Sequence, residues 1–197
     1  MKRLFDELVG AFFLVLAAPL LAAVALAIGL VDGRPVTFRQ PRSGLGGRPF
    51  DLVKFRTMRH SESSLWDPAQ DRDRTTRLGR ALRSSSLDEL PTLAHVVTGK
   101  MSLVGPRPLP VEYLPRYSDR QARRLQIPPG VTGWAQVNGR NTLSWDERLE
   151  LDVWYVDHRT FRLDLRILAA TLRQVVRREG VDHHEGVTMT EFRGPGR

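Results

Sequence analysis

Asp88 and Glu89 are adjacent acidic residues near the expected start of a helix. In isolation such a pair has an ordinary explanation, because acidic side chains at a helix amino terminus stabilise the helix dipole without any chemistry. Neighbouring residues on a helix point about 100° apart, however, so one carboxylate could face a phosphorus atom and the other a metal ion. Magnesium takes one or two carboxylates and completes its shell with substrate phosphates and water.

Cationic residues accompany this pair along the sequence and favour the chemical explanation. Arg83 precedes the pair, Arg107 follows it between two prolines, and Lys54 and Arg56 end an earlier β-rich run. Arginine suits phosphate because its planar guanidinium donates two parallel hydrogen bonds. Phosphoryl transfer requires a nucleophile, a magnesium ligand and neutralisation of charge. The sequence therefore predicts a phosphoryl-transfer site around the two carboxylates.

Composition narrows the chemistry further. The 197 residues include no cysteine, which excludes disulfides, thiol nucleophiles and cysteine-based zinc sites. The five histidines show no metal-ligand spacing, so we interpret them as structural or solvated. A formal net charge of +8 would suit nucleic acid. The cations lie beside a hydrophobic segment, however, so we expect membrane lipids and phosphate-bearing substrates as partners, and no nucleic acid.

The hydrophobic segment runs from Gly10 to Val31 without a charged residue and predicts a membrane helix. Three alternatives compete for it. A cleaved signal peptide fits the basic Lys2 and Arg3, but not the acidic residues that follow them. A straight helix of roughly 22 residues at about 1.5 Å each would cross a ~30 Å hydrocarbon core. A helix bent at Pro19 would instead dip into the membrane and return.

Charge placement favours the re-entrant form. Basic residues flank the hydrophobic segment on both sides: Lys2, Arg3, Arg34, Arg39, Arg42 and Arg48. Positive charge prefers the cytoplasmic side of a membrane, and only a re-entrant helix places both flanks there. We therefore expect residues 1–33 to form a membrane-embedded helix broken at Pro19. Residues 34–197 should form a single domain on the cytoplasmic face.

Patterns after the membrane segment predict an α+β domain that is mainly helical. Val36–Gln40 and Phe50–Phe55 flank a loop rich in Pro, Gly and Ser, which indicates a β-hairpin. The capping-box spacing of Ser86 and Glu89 predicts a helix that runs from there to Gly99. The three prolines of residues 104–110 then indicate a stiff, extended connector.

Helices are expected again in the second half of the chain. Capping boxes at Ser118 and Ser144 open two of them. A last helix, from about Thr160 to Arg178, should carry an apolar stripe and a basic stripe, formed by Leu165, Leu168, Leu172 and Val176 and by Arg162, Arg166, Arg173 and Arg177. Either the apolar stripe packs in the core and the basic face is solvated, or the helix is amphipathic and lies on the lipid surface.

Long motifs of this sequence resemble the small monotopic bacterial phosphoglycosyl transferases, the polyprenyl-phosphate sugar-1-phosphate transferases. The motifs are Arg83–Pro91, Lys54–Met58, Gly99–Pro108 and Pro129–Asn141, with shorter matches at Glu150–Asp152 and Tyr155–Val156. They occur in the same order and spacing over nearly the whole chain. Four motifs of this length in register are highly specific.

The resemblance implies a mechanism and a set of site residues. The aspartate matching Asp88 attacks the β-phosphate of a UDP-sugar, expels UMP and forms a phosphosugar-aspartate, which polyprenyl phosphate then attacks. The glutamate matching Glu89 binds Mg²⁺. Pro106 and Arg107 match a pair at the nucleotide end of the donor, and Arg83 matches an arginine near the phosphates. Further substrate-binding residues match family motifs without an assigned contact: Lys54, Arg56, Gln136 and Arg140.

Some expectations concern the membrane, the donor and a rival function. The family breaks its re-entrant helix at Ser-Pro, whereas Ala18 precedes Pro19 here and cannot bond the carbonyl that proline frees. The length and the ending at Gly186–Phe192 resemble bacillosamine-type enzymes, so UDP-di-N-acetylbacillosamine is the expected donor. The expected location is the bacterial inner membrane, with catalysis on its cytoplasmic face. A non-enzymatic membrane adaptor that binds nucleotides or lipid phosphates is the alternative, and it would tolerate the loss of Asp88.

Overall fold

The amino-terminal helix α1 (Lys2–Val31) contains the whole charge-free run. The computed structural model describes residues 2–59, 74–139, 143–177 and 191–194. Among these, α1 is the one helix long and apolar enough to cross a membrane, judged by length and composition alone. Helical structure continues through Pro19 without an interruption. Proline removes one hydrogen bond and bends a helix more often than it ends one, so the expected break stays a prediction.

The predicted hairpin is confirmed. Strands β1 (Thr37–Ser43) and β2 (Pro49–Phe55) pair antiparallel, and a short 3-10 turn at Leu45–Gly47 joins them. The imidazole of His95, from a later helix, accepts a hydrogen bond of 3.0 Å from the backbone N–H of Val53 in β2. The hairpin is thereby fixed to the helical part of the domain.

Helix α2 (Arg77–Ser84) was not expected from the sequence, and it displaces the predicted helix start at Ser86. Ser86 lies in the left-handed region, with φ at 57°, and its hydroxyl caps nothing. A capping residue needs extended backbone angles, so the predicted capping box at Ser86 is wrong. A 3-10 segment (Leu87–Thr92) follows, and helix α3 (Leu93–Val97) continues from it and ends just before Gly99.

Two short parallel strands lie at the centre of the domain. Strand β3 (Ser102–Val104) pairs with β4 (Gly130–Thr132). The backbones approach so closely that a Cβ on Gly130 would lie 2.1 Å from the backbone nitrogen of Gly105. Three residues each are too few for a periodic pattern, which explains why the sequence did not predict these strands.

Helices form the rest of the described domain. They are α4 (Asp119–Ala122), α5 (Trp134–Val137), α6 (Trp145–His158) and α7 (Phe161–Arg177), with 3-10 turns at Val111–Arg116 and Arg123–Gln126. The capping boxes at Ser118 and Ser144 are both confirmed. The mainly helical α+β character is confirmed as well.

Helix α7 buries a different face from the one that the sequence suggested. Leu163 and Ile167 face the core, whereas Leu165 and Leu172 of the predicted apolar stripe are exposed. The buried Asp164 helps to explain why this face of α7 is buried. Its carboxylate accepts hydrogen bonds from the Tyr155 hydroxyl and, at 2.6 Å, from the Lys2 ammonium. Leu168 of the predicted stripe packs against the core, so core packing of the stripe holds only in part, and its contact with lipid stays a prediction.

Both ends of α1 pack on the domain. At its start, the Asp6 carboxylate accepts a hydrogen bond of 2.5 Å from the Ser102 hydroxyl. Towards its end, Val24 and Ile28 are buried in a cluster with Phe55 and Leu82. Most of the large apolar side chains between these contacts are exposed: Phe12, Phe13, Val15, Leu16 and Leu20.

Candidate active site

Asp88 lies in the 3-10 segment, directly after the left-handed turn at Ser86. Its residue is only 6% exposed. Burial, and next the neighbouring charge of Glu89, raise the pKa of Asp88 to about 6, although Lys54 and Arg83 oppose the shift. Such a carboxylate is more basic than an ordinary aspartate and still largely ionised at neutral pH. Both properties suit a nucleophile.

Glu89 forms a two-point ion pair with Arg107. One guanidinium nitrogen, Nη2, lies 2.5 Å from Oε1, and Nη1 lies 3.5 Å from Oε2. Burial favours a neutral Glu89, but the charge and hydrogen bonds of Arg107, with help from Lys54, lower its pKa below the ordinary value. The charge of Glu89 in turn raises the pKa of Arg107. The site thus holds a permanently charged pair beside a carboxylate of raised pKa.

Lys54 and Arg83 add positive charge from two other elements. Burial lowers the pKa of Lys54 at the end of β2, although the charges of Glu89 and Asp88 work in the opposite direction. Arg83, in α2, donates a hydrogen bond of 2.9 Å from Nε to the buried Thr57 hydroxyl. This contact fixes the guanidinium near the carboxylates. The structure therefore brings together five predicted residues: Lys54, Arg83, Asp88, Glu89 and Arg107.

A proline-rich loop (residues 105–110) presents Arg107, and its successive carbonyls are held from outside. The Pro106 carbonyl accepts a hydrogen bond from the Gly130 N–H at 2.9 Å, and the Arg107 carbonyl accepts one from Arg124 Nη2 at 2.6 Å. The Pro108 carbonyl accepts from Arg42 Nη1 at 3.4 Å. The Leu109 carbonyl accepts from both the N–H (2.9 Å) and the hydroxyl (3.0 Å) of Ser43. Prolines have no N–H to donate. The loop therefore depends on these external donors for its shape.

Arg124 and Asp152 form a buried ion pair behind this loop. The Asp152 carboxylate accepts from Nε and Nη2 of Arg124 at 3.0 and 2.8 Å, and both residues are 2% exposed. The same Nη2 reaches the Arg107 carbonyl. A buried charge must be paired, and here the pair also fixes the backbone of an active-site arginine.

Other predicted residues lie apart from the carboxylates or contact only backbone. Arg56 donates to the carbonyls of Asp32, Gly33 and Arg34, which follow the end of α1. The Gln136 amide donates to the Val131 carbonyl at 3.1 Å, and its buried Oε1 has no partner among the described residues. Pro106 is buried in the loop. Arg140 lies outside the described residues, so its role stays a prediction.

Comparison with known proteins identifies the family. The model of the bacterial sugar transferase family matches residues 1–178.

The chain belongs to the bacterial sugar transferase family.

Relatives of this sugar transferase carry related names. A Bacillus subtilis protein named as an uncharacterized sugar transferase is 47% identical over 196 residues, which is 100% of this chain and 97% of that protein. A Caulobacter vibrioides UDP-glucose:undecaprenyl-phosphate glucose-1-phosphate transferase is 43% identical, over 87% of this chain and 68% of the relative. An undecaprenyl-phosphate galactose phosphotransferase of Salmonella typhimurium is 37% identical, over 91% of this chain and 41% of the relative. Family membership is thus confirmed, whereas the predicted bacillosamine-type subgroup stays a prediction.

Two further cations of this sugar transferase lie near Arg107 and were not predicted as site residues. Burial, and next the charge of Arg107, lower the pKa of Arg42 to about 10, and the same two causes lower the pKa of Arg148 to about 10. Arg42 appeared in the sequence only as a basic flank of the membrane segment. Sequence patterns could not identify these two arginines, because they come near Arg107 only in the folded chain.

Asp88 and Glu89 are the carboxylates of this site that could hold a magnesium ion. Within the residues that the structure describes, no group of three or more His, Asp or Glu side chains could hold a metal by itself. Asp88 and Glu89 supply two carboxylates, which is the set that Mg²⁺ uses when phosphates and water complete its shell. Glu89 already has Arg107 on both oxygens, so the fit requires Arg107 to yield.

Proposed function

We propose that this sugar transferase moves a sugar 1-phosphate from a UDP-sugar to undecaprenyl phosphate and releases UMP. The observation that carries the proposal is the buried Asp88, with its pKa raised to about 6, beside the charged Glu89–Arg107 pair. The names of the Caulobacter and Salmonella relatives, both undecaprenyl-phosphate sugar phosphotransferases, support it.

In the first proposed step, an oxygen of Asp88 attacks the β-phosphorus of the donor. The new oxygen–phosphorus bond forms as the bond to the UMP oxygen breaks, and UMP leaves with that electron pair. Lys54, Arg83 and Arg107 face the negative charge that spreads over the phosphoryl oxygens. Glu89 would hold Mg²⁺, which when bound neutralises phosphate charge. The product is a phosphosugar-aspartate.

In the second step, a phosphate oxygen of undecaprenyl phosphate attacks the same phosphorus atom. The bond to Asp88 breaks and the free carboxylate returns, so the enzyme ends the cycle unchanged. Two successive displacements at one phosphorus require that UMP leaves before the lipid phosphate enters. A buried carboxylate suits this sequence, since water is kept from the intermediate.

The attachment of α1 supports a re-entrant position in the membrane. A spanning helix would carry one of its ends to the far side, away from the domain. Here Asp6 near one end contacts Ser102, and Asp32 after the other accepts a hydrogen bond of 2.9 Å from Thr76. Both contacts belong to one domain, while the apolar middle is exposed. We therefore place the domain on one face of the bacterial inner membrane, the cytoplasmic one, where the basic flanks prefer to lie.

Helix α7 adds a second lipid contact to this proposal. Its exposed apolar side chains are Phe161, Leu165, Leu172 and Val175, and exposed arginines lie among them. The Phe161 ring packs edge-to-face on the ring of Phe5, at 5.1 Å between centroids, and so joins the start of α7 to the start of α1. Apolar and basic side chains together suit the surface of an anionic bilayer.

The donor sugar is the finer part of the proposal. Two of the relatives named above are glucose and galactose phosphotransferases. UDP-di-N-acetylbacillosamine stays the prediction from the motif at Gly186–Phe192, most of which lies outside the described residues. Any of these donors would make this the first membrane step in the assembly of a glycoconjugate.

UMP release tests the function. Detergent-purified protein is incubated with Mg²⁺, undecaprenyl phosphate and, in turn, UDP-glucose, UDP-galactose, UDP-N-acetylglucosamine and UDP-di-N-acetylbacillosamine. We expect UMP with at least one donor, and none from Asp88→Asn. The matched control is Asp51→Asn, an exposed aspartate of β2, which should keep full activity. Absence of UMP with every donor, or full activity of Asp88→Asn, would leave the non-enzymatic adaptor as the better explanation.

A further inference from the structure

Arg107 occupies both oxygens of the carboxylate that the proposed function assigns to magnesium. Its two terminal nitrogens face the two oxygens of Glu89 at 2.5 and 3.5 Å. A divalent cation binds through those same oxygens. Guanidinium and metal are both positively charged, so they also repel each other. The Glu89 carboxylate therefore cannot bind Arg107 and a metal ion through both of its oxygens at the same time.

The surroundings of Arg107 allow its side chain to leave while its backbone stays. The carbonyls of Pro106, Arg107 and Pro108 are each held by a separate donor, which fixes the loop. The Arg107 side chain is 44% exposed and that of Glu89 is 31% exposed, so the pair is only partly buried and one side of it is open to solvent. Only side-chain torsions need to change for Arg107 to exchange Glu89 for another acceptor.

A diphosphate is the acceptor that the charges around the pair favour. Burial is the main cause of the lowered pKa values of Lys54, Arg42 and Arg148, and the nearby charge of Arg107 lowers each of them further. The cations near Arg107 therefore outnumber the two carboxylates. A doubly charged diphosphate relieves that repulsion and offers the planar guanidinium two oxygens that accept its two hydrogen bonds.

We propose that Arg107 keeps divalent cations off Glu89 until the diphosphate of the donor draws it away. Metal and nucleotide then bind together, each improving the binding of the other. This inference rests on the proposed function for the assignment of Glu89 to metal, and adds the order in which the site is filled. The benefit is chemical, because a metal ion placed without substrate would neutralise the carboxylates that the reaction needs.

Binding of Mn²⁺, followed by the electron paramagnetic resonance signal of the free ion, tests the proposal without any turnover. The full chain in detergent is titrated with Mn²⁺, alone and with UDP. For the wild type we expect weak binding alone and stronger binding with UDP. Arg107→Gln should bind Mn²⁺ alone roughly five- to thirtyfold more tightly than the wild type, the range that loss of a charge-assisted pair suggests. UDP should then improve its Mn²⁺ binding less.

Further variants test whether a change in Mn²⁺ binding comes from the Glu89–Arg107 pair. Arg120→Gln removes an exposed ion pair with Glu150 and should leave Mn²⁺ binding unchanged. Glu89→Gln, added to Arg107→Gln, should abolish the gain. If Arg107→Gln does not fold, judged by thermal melting, Arg107→Lys takes its place, since lysine keeps the charge but cannot hold both oxygens.

Unchanged or weaker Mn²⁺ binding by Arg107→Gln would overturn the proposal, as would equal binding with and without UDP in the wild type. Reciprocity gives a second check, because Mn²⁺ must improve UDP binding by the same factor by which UDP improves Mn²⁺ binding. The proposed function is judged separately, by UMP release from the donor panel. Transferase activity without this Mn²⁺ behaviour would sink the inference alone.

Discussion

Asp88 and Glu89 are neighbours in the chain, yet their pKa values move in opposite directions. The left-handed turn at Ser86 and the 3-10 segment after it explain why the two carboxylates lie in different surroundings. Successive residues of a 3-10 helix point about 120° apart, so one carboxylate enters a buried position and the other meets Arg107. Opposite shifts in two neighbouring acids are typical of sites in which each has its own chemical task.

A covalent adduct on Asp88 is the residue-scale prediction. Wild-type protein incubated with a competent UDP-sugar and Mg²⁺, without lipid phosphate, should gain the mass of one sugar phosphate. Asp88→Asn should gain nothing, because its amide cannot form the acyl phosphate. Intact-protein mass spectrometry measures both, and Asp51→Asn serves as the unaffected control. An adduct on the Asp88→Asn protein would show that another residue is the nucleophile.

Site residues within contiguous motifs could be predicted from the sequence, and those assembled by tertiary contacts could not. Lys54, Arg83 and Arg107 stand in motifs whose composition already indicates phosphate chemistry. Arg42 and Arg124 have no such context, since each acts on the proline-rich loop from a distant part of the chain. Arg56 lies in such a motif as well, but its described contacts are with backbone carbonyls near the end of α1, and its role in substrate binding stays a prediction.

At the scale of elements, the proline-rich loop and the buried pair behind it form one unit. Arg124→Met alone should destabilise the protein by roughly 3–5 kcal/mol, because Asp152 would be left buried and unpaired. Arg124→Met combined with Asp152→Leu should recover most of that stability. The double variant still lacks the donor to the Arg107 carbonyl, so its KM for the UDP-sugar should rise. Chemical denaturation and UMP kinetics measure the two effects.

Stability and kinetics measured on the same double variant show whether the Arg124–Asp152 pair positions Arg107 or only stabilises the fold. A double variant as stable as the wild type, with unchanged KM and kcat, would mean that the ion pair does not position Arg107. The exposed pair of Arg120 and Glu150 gives the control. Arg120→Met should cost little stability by comparison, since exposed pairs are screened by solvent.

His95 links helix α3 to strand β2 and makes stability depend on pH. Its Nε2 accepts from the Val53 N–H, which requires a neutral ring. Burial, with the charge of Lys100, lowers the pKa of His95 below the ordinary 6.5. The unfolded chain therefore binds a proton first as the pH falls. Stability should be full above about pH 6.5 and decline below it, until the pH passes the folded-state pKa.

His95→Gln tests this pH dependence, because glutamine can accept the same hydrogen bond and does not titrate. The difference in free energy of unfolding between wild type and variant should be constant above about pH 7 and should shift in favour of the variant at lower pH. Chemical denaturation across that range measures it. A difference that stays constant at every pH would contradict the assigned role of His95.

The elements themselves were predicted where local patterns decide them. The hairpin and the capping boxes at Ser118 and Ser144 depend on residues close in sequence. The short strands β3 and β4 depend on the close approach of Gly105 and Gly130, which no local pattern records. The burial of Leu163 and Ile167 on α7 was not predicted, and the ion pair of the neighbouring Asp164 with Lys2 joins residues far apart in the sequence.

For the whole molecule, the attachment of α1 at both ends bears on the proposed re-entrant position in the membrane. A spanning helix would leave one end unsupported by the domain, whereas contacts of Asp6 with Ser102 and of Asp32 with Thr76 keep both ends beside it. The exposed apolar middle of α1 and the exposed apolar side chains of α7 then cover a surface suited to a membrane. The active site would lie near the headgroups, where the phosphate of the lipid acceptor is found.

Cysteine labelling decides between the two membrane positions, and the absence of native cysteine makes it clean. Single variants Leu4→Cys and Arg34→Cys place a thiol at the two exposed ends of α1, and Asp119→Cys marks the domain. In intact cells a membrane-impermeant maleimide should label none of the three, and in inside-out membrane vesicles it should label all of them. Labelling of Leu4→Cys in intact cells, with Arg34→Cys and Asp119→Cys protected, would establish a spanning helix. The packing of Asp6 against Ser102 could not then survive in the membrane, because its two partners would lie near opposite faces of the bilayer.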